Sequence, residues 1–154
     1  MVAEEVADFL VSNGLSLAVA ESCTGGMISN MITDVPGSSR YFLAGLVTYS
    51  DDSKMSLLGV RKATLIGHGA VSQAVAGEMA AGVRKLMRSD IGLSATGIAG
   101  PEGATEEKPV GLVEFAMALE GRIVSDRRVF SGDRQEVKRA ASEHALRMII
   151  EELE

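Results

Sequence analysis

Residues 18–29 read AVAESCTGGMIS and set two candidate nucleophiles, Ser22 and Cys23, side by side where an apolar run gives way to Gly25-Gly26. A serine at a strand-to-helix turn can meet the free amides of the helix start, which stabilise an oxyanion or bind a phosphate. The plainer reading of the same residues is a helix cap supplied by Ser22 or Thr24. The pattern is not the G-x-S-x-G elbow, because Glu21 and Cys23 flank the serine. A Ser-His-Asp triad also lacks a suitable base, since the two histidines are His68, in GHGA, and His144, inside the last helix.

A different base lies in VTYSDDSK, where Tyr49 ends an apolar segment and Lys54 opens the next helix. Lysine acts as a general base when burial lowers its pKa, and Ser-Lys pairs are an established form of the serine nucleophile. The Tyr49 hydroxyl can relay a proton or orient the lysine. Read from this stretch alone, Lys54 is better taken as a solvated partner of Asp51 or Asp52. Cys23 should point away from Ser22 and pack as a small apolar residue.

Two further segments offer ligand contacts. SATGIAGPEGATEEKPVG, residues 94–111, is glycine-rich, and its amides at Gly97 and Gly100 can form an anion nest, with Thr96 closing the preceding strand. Arg134 follows FSGD at the start of the last helix and can bind carboxylate or phosphate in two-pronged fashion; Arg139 lies further along.

The elements that must position these residues follow from periodicity. Helices are expected over 3–13, 25–33, 73–88 and about 134–153, with a short helix after Asp51 or Asp52 as cap and a turn or short helix near 62–69. Ser72 should cap the 73–88 helix, whose inward stripe is Val75, Met79, Val83 and Leu86. Strands are expected at 15–20, 41–50 and 91–100, the second reading as centrally buried, and 110–119 with 122–130 forms an antiparallel hairpin. This order specifies a single α/β domain over residues 1–154, a three-layer α/β/α sandwich with a mixed sheet. If the three separate strands are parallel, the loops at 21–26, 50–54 and 96–109 meet at one sheet edge.

Composition narrows the partners. The formal net charge of −6 argues against sequence-independent nucleic-acid binding. No apolar run reaches the ~20 residues of a membrane span, and the acidic N-terminus does not read as a signal peptide. One cysteine and two histidines offer no ligand-spaced metal site, so a cytoplasmic protein without metal or cofactor is expected.

The segments AESCTGG, VPGSS-x-x-F-x-x-G-x-VTYS-x-x-x-K, LGV, HGAVS, TGIAGPEG, EEKPVG and FSGDR occur in this order. Together they resemble the CinA C-terminal domain family, the nicotinamide-nucleotide amidohydrolases, over about residues 3–150. The resemblance implies hydrolysis of the carboxamide of nicotinamide mononucleotide (NMN) to nicotinate mononucleotide and ammonia, in pyridine nucleotide salvage. It implies an α/β/α sandwich, a homodimer and no metal requirement. The family's nucleophile falls on Ser22, its partners on Tyr49 and Lys54, its loop threonine on Thr96, and its arginine on Arg134 or Arg139. Amides near Thr24, Gly25 and Gly26 are then expected to face the oxyanion or the phosphate. Longer CinA proteins carry a large N-terminal domain outside the region of resemblance, and no activity of such a domain is expected here. Two alternatives stand beside catalysis: a nucleotide-sensing module using the same loops, and a partner protein in competence or DNA damage, which the net charge does not favour.

Overall fold

Five strands form one mixed sheet in the order β2-β1-β3-β4-β5 in the computed structural model, which describes residues 1–154. They are β1 (Leu17–Glu21), β2 (Phe42–Val47), β3 (Ile91–Gly97), β4 (Leu112–Leu119) and β5 (Arg122–Val129). β1 runs parallel to both β2 and β3, whereas β3, β4 and β5 alternate in direction. The helices are α1 (Val2–Asn13), α2 (Met27–Thr33), α3 (Asp51–Leu58), α4 (Lys62–His68), α5 (Gln73–Met87) and α6 (Arg134–Leu153).

The two sheet faces differ in side-chain size, and this sets the layers. Leu17, Val19, Leu93, Phe115 and Met117 point to one face and pack with α1, α2 and α6 in the larger core. Ala18, Ala20, Ala116 and Ala118 point to the other, where α5 lies over β1, β3 and β4. Small residues on both partners let α5 sit close enough for Ser94 Oγ to donate to the Ala76 carbonyl at 2.6 Å. α3 and α4 pack beside α5 and complete that layer.

Local chemistry starts the long helices. Ser72 Oγ accepts from the Val75 amide and caps α5. At α6 the Asp133 carboxylate accepts from the Glu136 amide and the Glu136 carboxylate from the Asp133 amide, a reciprocal capping box. His144 lies within α6, its Nε2 2.7 Å from Asp126 Oδ2 of β5, with its ring edge-on to Phe115. It therefore pins helix to sheet.

Four expectations are corrected. β2 is an edge strand, with Leu43 and Val47 exposed, and its apolar residues do not mark a central position. The cap of α3 is Ser50, whose Oγ accepts from the Ser53 amide, while Asp51 and Asp52 occupy the first turn. Leu86 is 51% exposed and falls off the buried stripe of α5. α2 begins at Met27 because Gly25 and Gly26 have φ of 61° and 101°, outside the right-handed helical region.

Candidate active site

Parallel β1, β2 and β3 end at the same sheet edge, so the segments after Glu21, Val47 and Gly97 converge there. A cleft of about 260 Å³ opens among them and is lined by Ser22, Tyr49, Lys54, Thr96, Gly97, Gly100, Glu102 and Arg134, among others. The separate loops of the sequence thus form one site, at the position where α/β sheets gather ligands.

Ser22 follows β1 directly, and its amide donates to the Ala95 carbonyl of β3, which continues the sheet by one residue. Lys54 reaches it from the first turn of α3. The Lys54 ammonium is 1% exposed and donates to Ser22 Oγ at 2.9 Å, to the Thr48 carbonyl at 2.8 Å and to the Tyr49 carbonyl at 3.2 Å. All three donor positions are used, with no carboxylate among the acceptors. Burial lowers the Lys54 pKa against a smaller raising effect of Asp51. A lysine so placed can exist as the neutral amine and take the hydroxyl proton of the serine beside it.

Cys23 belongs to the larger core, and burial pushes its thiol pKa up to about 12. It is held as the thiol and packs as an apolar residue. Ser22 is the hydroxyl that meets the cleft and the lysine together.

The turn between β1 and α2 is organised by a residue that the motif reading passed over. Glu21 is fully buried, and its carboxylate accepts five hydrogen bonds: from Thr24 Oγ1, Ser29 Oγ and the amides of Gly26, Ile28 and Ser29. A carboxylate at a helix start neutralises the orphan donors there and is favoured by the helix dipole. The Thr24 hydroxyl and the Gly26 amide, expected near the ligand, are taken by Glu21. The Gly25 amide donates to the Ser22 carbonyl and is likewise taken. Within the turn, the amides of Cys23 and Thr24 donate to no backbone carbonyl. The sequence signal for Glu21 was an acidic residue closing an apolar strand just before a helix start.

Tyr49 contributes through its backbone. Its carbonyl accepts from Lys54, whereas its side chain is 62% exposed and its hydroxyl accepts from Arg134 Nη2 at 3.1 Å. The expected hydroxyl contact with the lysine is therefore absent, because the ring turns outward toward α6. Arg134 also donates through Nη1 to the Gly100 carbonyl at 2.7 Å, joining the start of α6 to the glycine-rich loop. Thr96 Oγ1 donates to the Ala70 carbonyl at 3.0 Å and ties β3 to the segment before α5. Gly97 lines the cleft at the end of β3.

Arg139 lies outside this cleft. It lines a different groove, between α1, α2 and α6, with Met27, Met31 and Arg147. Five helical steps of ~100° turn it about 140° from Arg134. Lys138, four residues after Arg134, is the cation that shares its side of α6, and a β-carbon at Gly25 would stand 3.3 Å from its Nζ. No group of three or more His, Cys, Asp or Glu side chains comes together to hold a metal ion. No helix is long and apolar enough to cross a membrane.

Known proteins share this fold and much of the sequence. The chain is 48% identical over 149 residues to the nicotinamide-nucleotide amidohydrolase PncC of Escherichia coli K12, covering 96% of this chain and 90% of that protein. It is 47% identical over 151 residues to a putative competence-damage inducible protein of Clostridioides difficile, of which it spans only 36%. Among solved structures, the competence damage-inducible protein A from Klebsiella pneumoniae superposes with a TM-score of 0.96 at 38% identity, covering 99% of this chain and 94% of that one. A competence/damage inducible protein from Agrobacterium tumefaciens gives a TM-score of 0.91 at 39% identity, over 98% and 95% of the two chains. The CinA C-terminal domain model matches residues 1–153, and with these relatives it establishes that the chain belongs to the CinA C-terminal domain family.

Proposed function

We propose that the protein is an amidase that hydrolyses the carboxamide of NMN to nicotinate mononucleotide and ammonia through a Ser22 acyl-enzyme. The observation that carries the mechanism is the 2.9 Å contact between a fully buried lysine and Ser22 Oγ. The name of the Escherichia coli relative supports the substrate.

Neutral Lys54 takes the proton from Ser22 Oγ as that oxygen bonds to the amide carbon. The carbonyl oxygen becomes an oxyanion that hydrogen-bond donors at the cleft wall beside Ser22 stabilise. Lys54, now an ammonium, gives its proton to the departing nitrogen, and ammonia leaves as the C–N bond breaks. Lys54 then takes a proton from water, whose oxygen attacks the ester; collapse returns the proton to Ser22 and frees the carboxylate. The Thr48 and Tyr49 carbonyls stabilise the ammonium form in each half of the cycle.

Arg134 and the glycine-rich loop supply the seat for the phosphate, with Lys138 as a neighbouring cation. The homodimer, the cytoplasmic location and the absence of nucleic-acid partners belong to the same proposal. The test is ammonia release from NMN, nicotinamide riboside and NAD, with the oligomer read by light scattering. NMN turnover with weaker riboside turnover is the expected result. Binding of NMN without ammonia release would replace catalysis with a sensing role.

A further inference from the structure

Three side chains of formal charge line the cleft: Lys54, Arg134 and Glu102. The first two are engaged. Lys54 holds Ser22 and two carbonyls, and Arg134 holds the Gly100 carbonyl and the Tyr49 hydroxyl. Glu102 forms no ion pair or hydrogen bond within the chain, and it is the one carboxylate on the cleft wall.

The loop that presents Glu102 is held on both sides of it. Gly100 has φ of 86°, and a β-carbon there would lie 2.4 Å from Val110 Cγ1, so backbone and side chain are packed without slack. Its carbonyl is fixed to α6 by Arg134. On the other side, Gly103 has φ of 97° and sits against Ile98. Glu102 is exposed between these two points, so its backbone is held at the cleft wall while its carboxylate oxygens are left for a ligand.

Without Glu102 the lining would carry the charge of Arg134, plus that of Lys54 when protonated. Such a cleft repels a cation. A carboxamide on an N-alkylated pyridinium ring is a permanent cation whose charged nitrogen has no N–H to donate. Its charge is the feature that most strongly sets it apart from a neutral ring. An anion at one wall and a cationic phosphate seat at another also orient a substrate that is positive at the ring and negative at the phosphate.

We propose that Glu102 determines specificity, favouring carboxamides carried on a cationic pyridinium ring over the same carboxamides on a neutral ring. The inference rests on the amidase reading above and adds the basis of ring selection. The experiment compares wild type with Glu102→Gln and Glu102→Asp on two ligands that differ in ring charge. NMN is assayed as substrate, and its dihydro form, with a neutral ring and the same phosphate, as a competitive inhibitor. Glu102→Gln should lower kcat/KM for NMN about tenfold, the scale of one lost charge contact in a half-open site. Its inhibition constant for the dihydro form should stay within about twofold, and Glu102→Asp should recover most of the loss. An equal loss for both ligands would assign Glu102 a structural role and overturn the proposal, as would an unchanged kcat/KM for NMN. If wild type released no ammonia from NMN, the amidase reading itself would fail, and that result is separate from either outcome for Glu102.

Discussion

Lys54 and Ser22 lie 32 positions apart in the chain, yet the lysine Nζ stands 2.9 Å from the serine oxygen, both residues buried at the floor of the cleft. Two different local structures make the meeting: a serine one residue beyond a central strand, and a lysine in the first turn of a helix that follows the edge strand. Neither has a histidine near it to share the work.

Replacing the nucleophile separates it from its neighbour. Ser22→Ala should cut ammonia release from NMN by about 10⁴-fold or more, with an unchanged circular dichroism spectrum. Cys23→Ala should keep activity within a few-fold and lose about 1 kcal/mol of stability in urea unfolding, through the small cavity left in the core. Full inactivity of Cys23→Ala with an intact fold would return the reaction to the thiol.

The pH dependence follows from the lowered Lys54 pKa. The active form is the neutral amine, so kcat/KM should rise with pH, tenfold per unit below that pKa, and level off before the range of an ordinary lysine. The stability slope has the same sign. Between the folded-state pKa and the higher unfolded-state value, the unfolded chain binds more protons, so unfolding free energy rises with pH. Stopped ammonia assays over a pH series, with urea titrations at each pH, check both. A profile that falls with rising pH over this range would exclude Lys54 as the base.

The Tyr49 carbonyl, not its hydroxyl, holds the lysine. Tyr49→Phe should therefore lower kcat less than about tenfold, while KM rises as Arg134 loses one of its two acceptors. Arg134→Met should raise KM further by freeing the Gly100 loop as well. A kcat loss in Tyr49→Phe as large as that of Ser22→Ala would assign the phenol a direct place in proton transfer.

Glu21→Gln tests the turn. The amide presents an NH2 group to a site built from five donors, so at least one buried donor loses its acceptor. A loss of about 2–4 kcal/mol is expected in urea unfolding, with kcat reduced because the adjacent serine moves. Unchanged stability would show that water or the backbone satisfies those groups instead.

Much of this was legible in the residues because alternating elements and turn chemistry are local. The strand ends that converge were readable as loops after apolar runs, and Ser72 as a cap. What escaped depends on neighbours. Leu43 and Val47 look like core in sequence and lie exposed, since only the sheet order makes β2 an edge. The amides at Gly26 and beyond look free in sequence because their acceptor, Glu21, precedes the turn and folds back under it. Arg134 and Arg139 look interchangeable along the chain until the helix rotates them onto different faces.

The burial of Lys54 has a consequence for how the protein responds to selection. An apolar residue of similar length at that position, as in Lys54→Met, removes an ionisable group from the interior and should raise the melting temperature while abolishing turnover. A laboratory population screened for heat tolerance alone would then drift toward hardier, inert variants at residue 54. A population also required to live on the reaction would keep the lysine. The divergence between the two populations would report, without any purified enzyme, whether this position is kept for chemistry or for architecture.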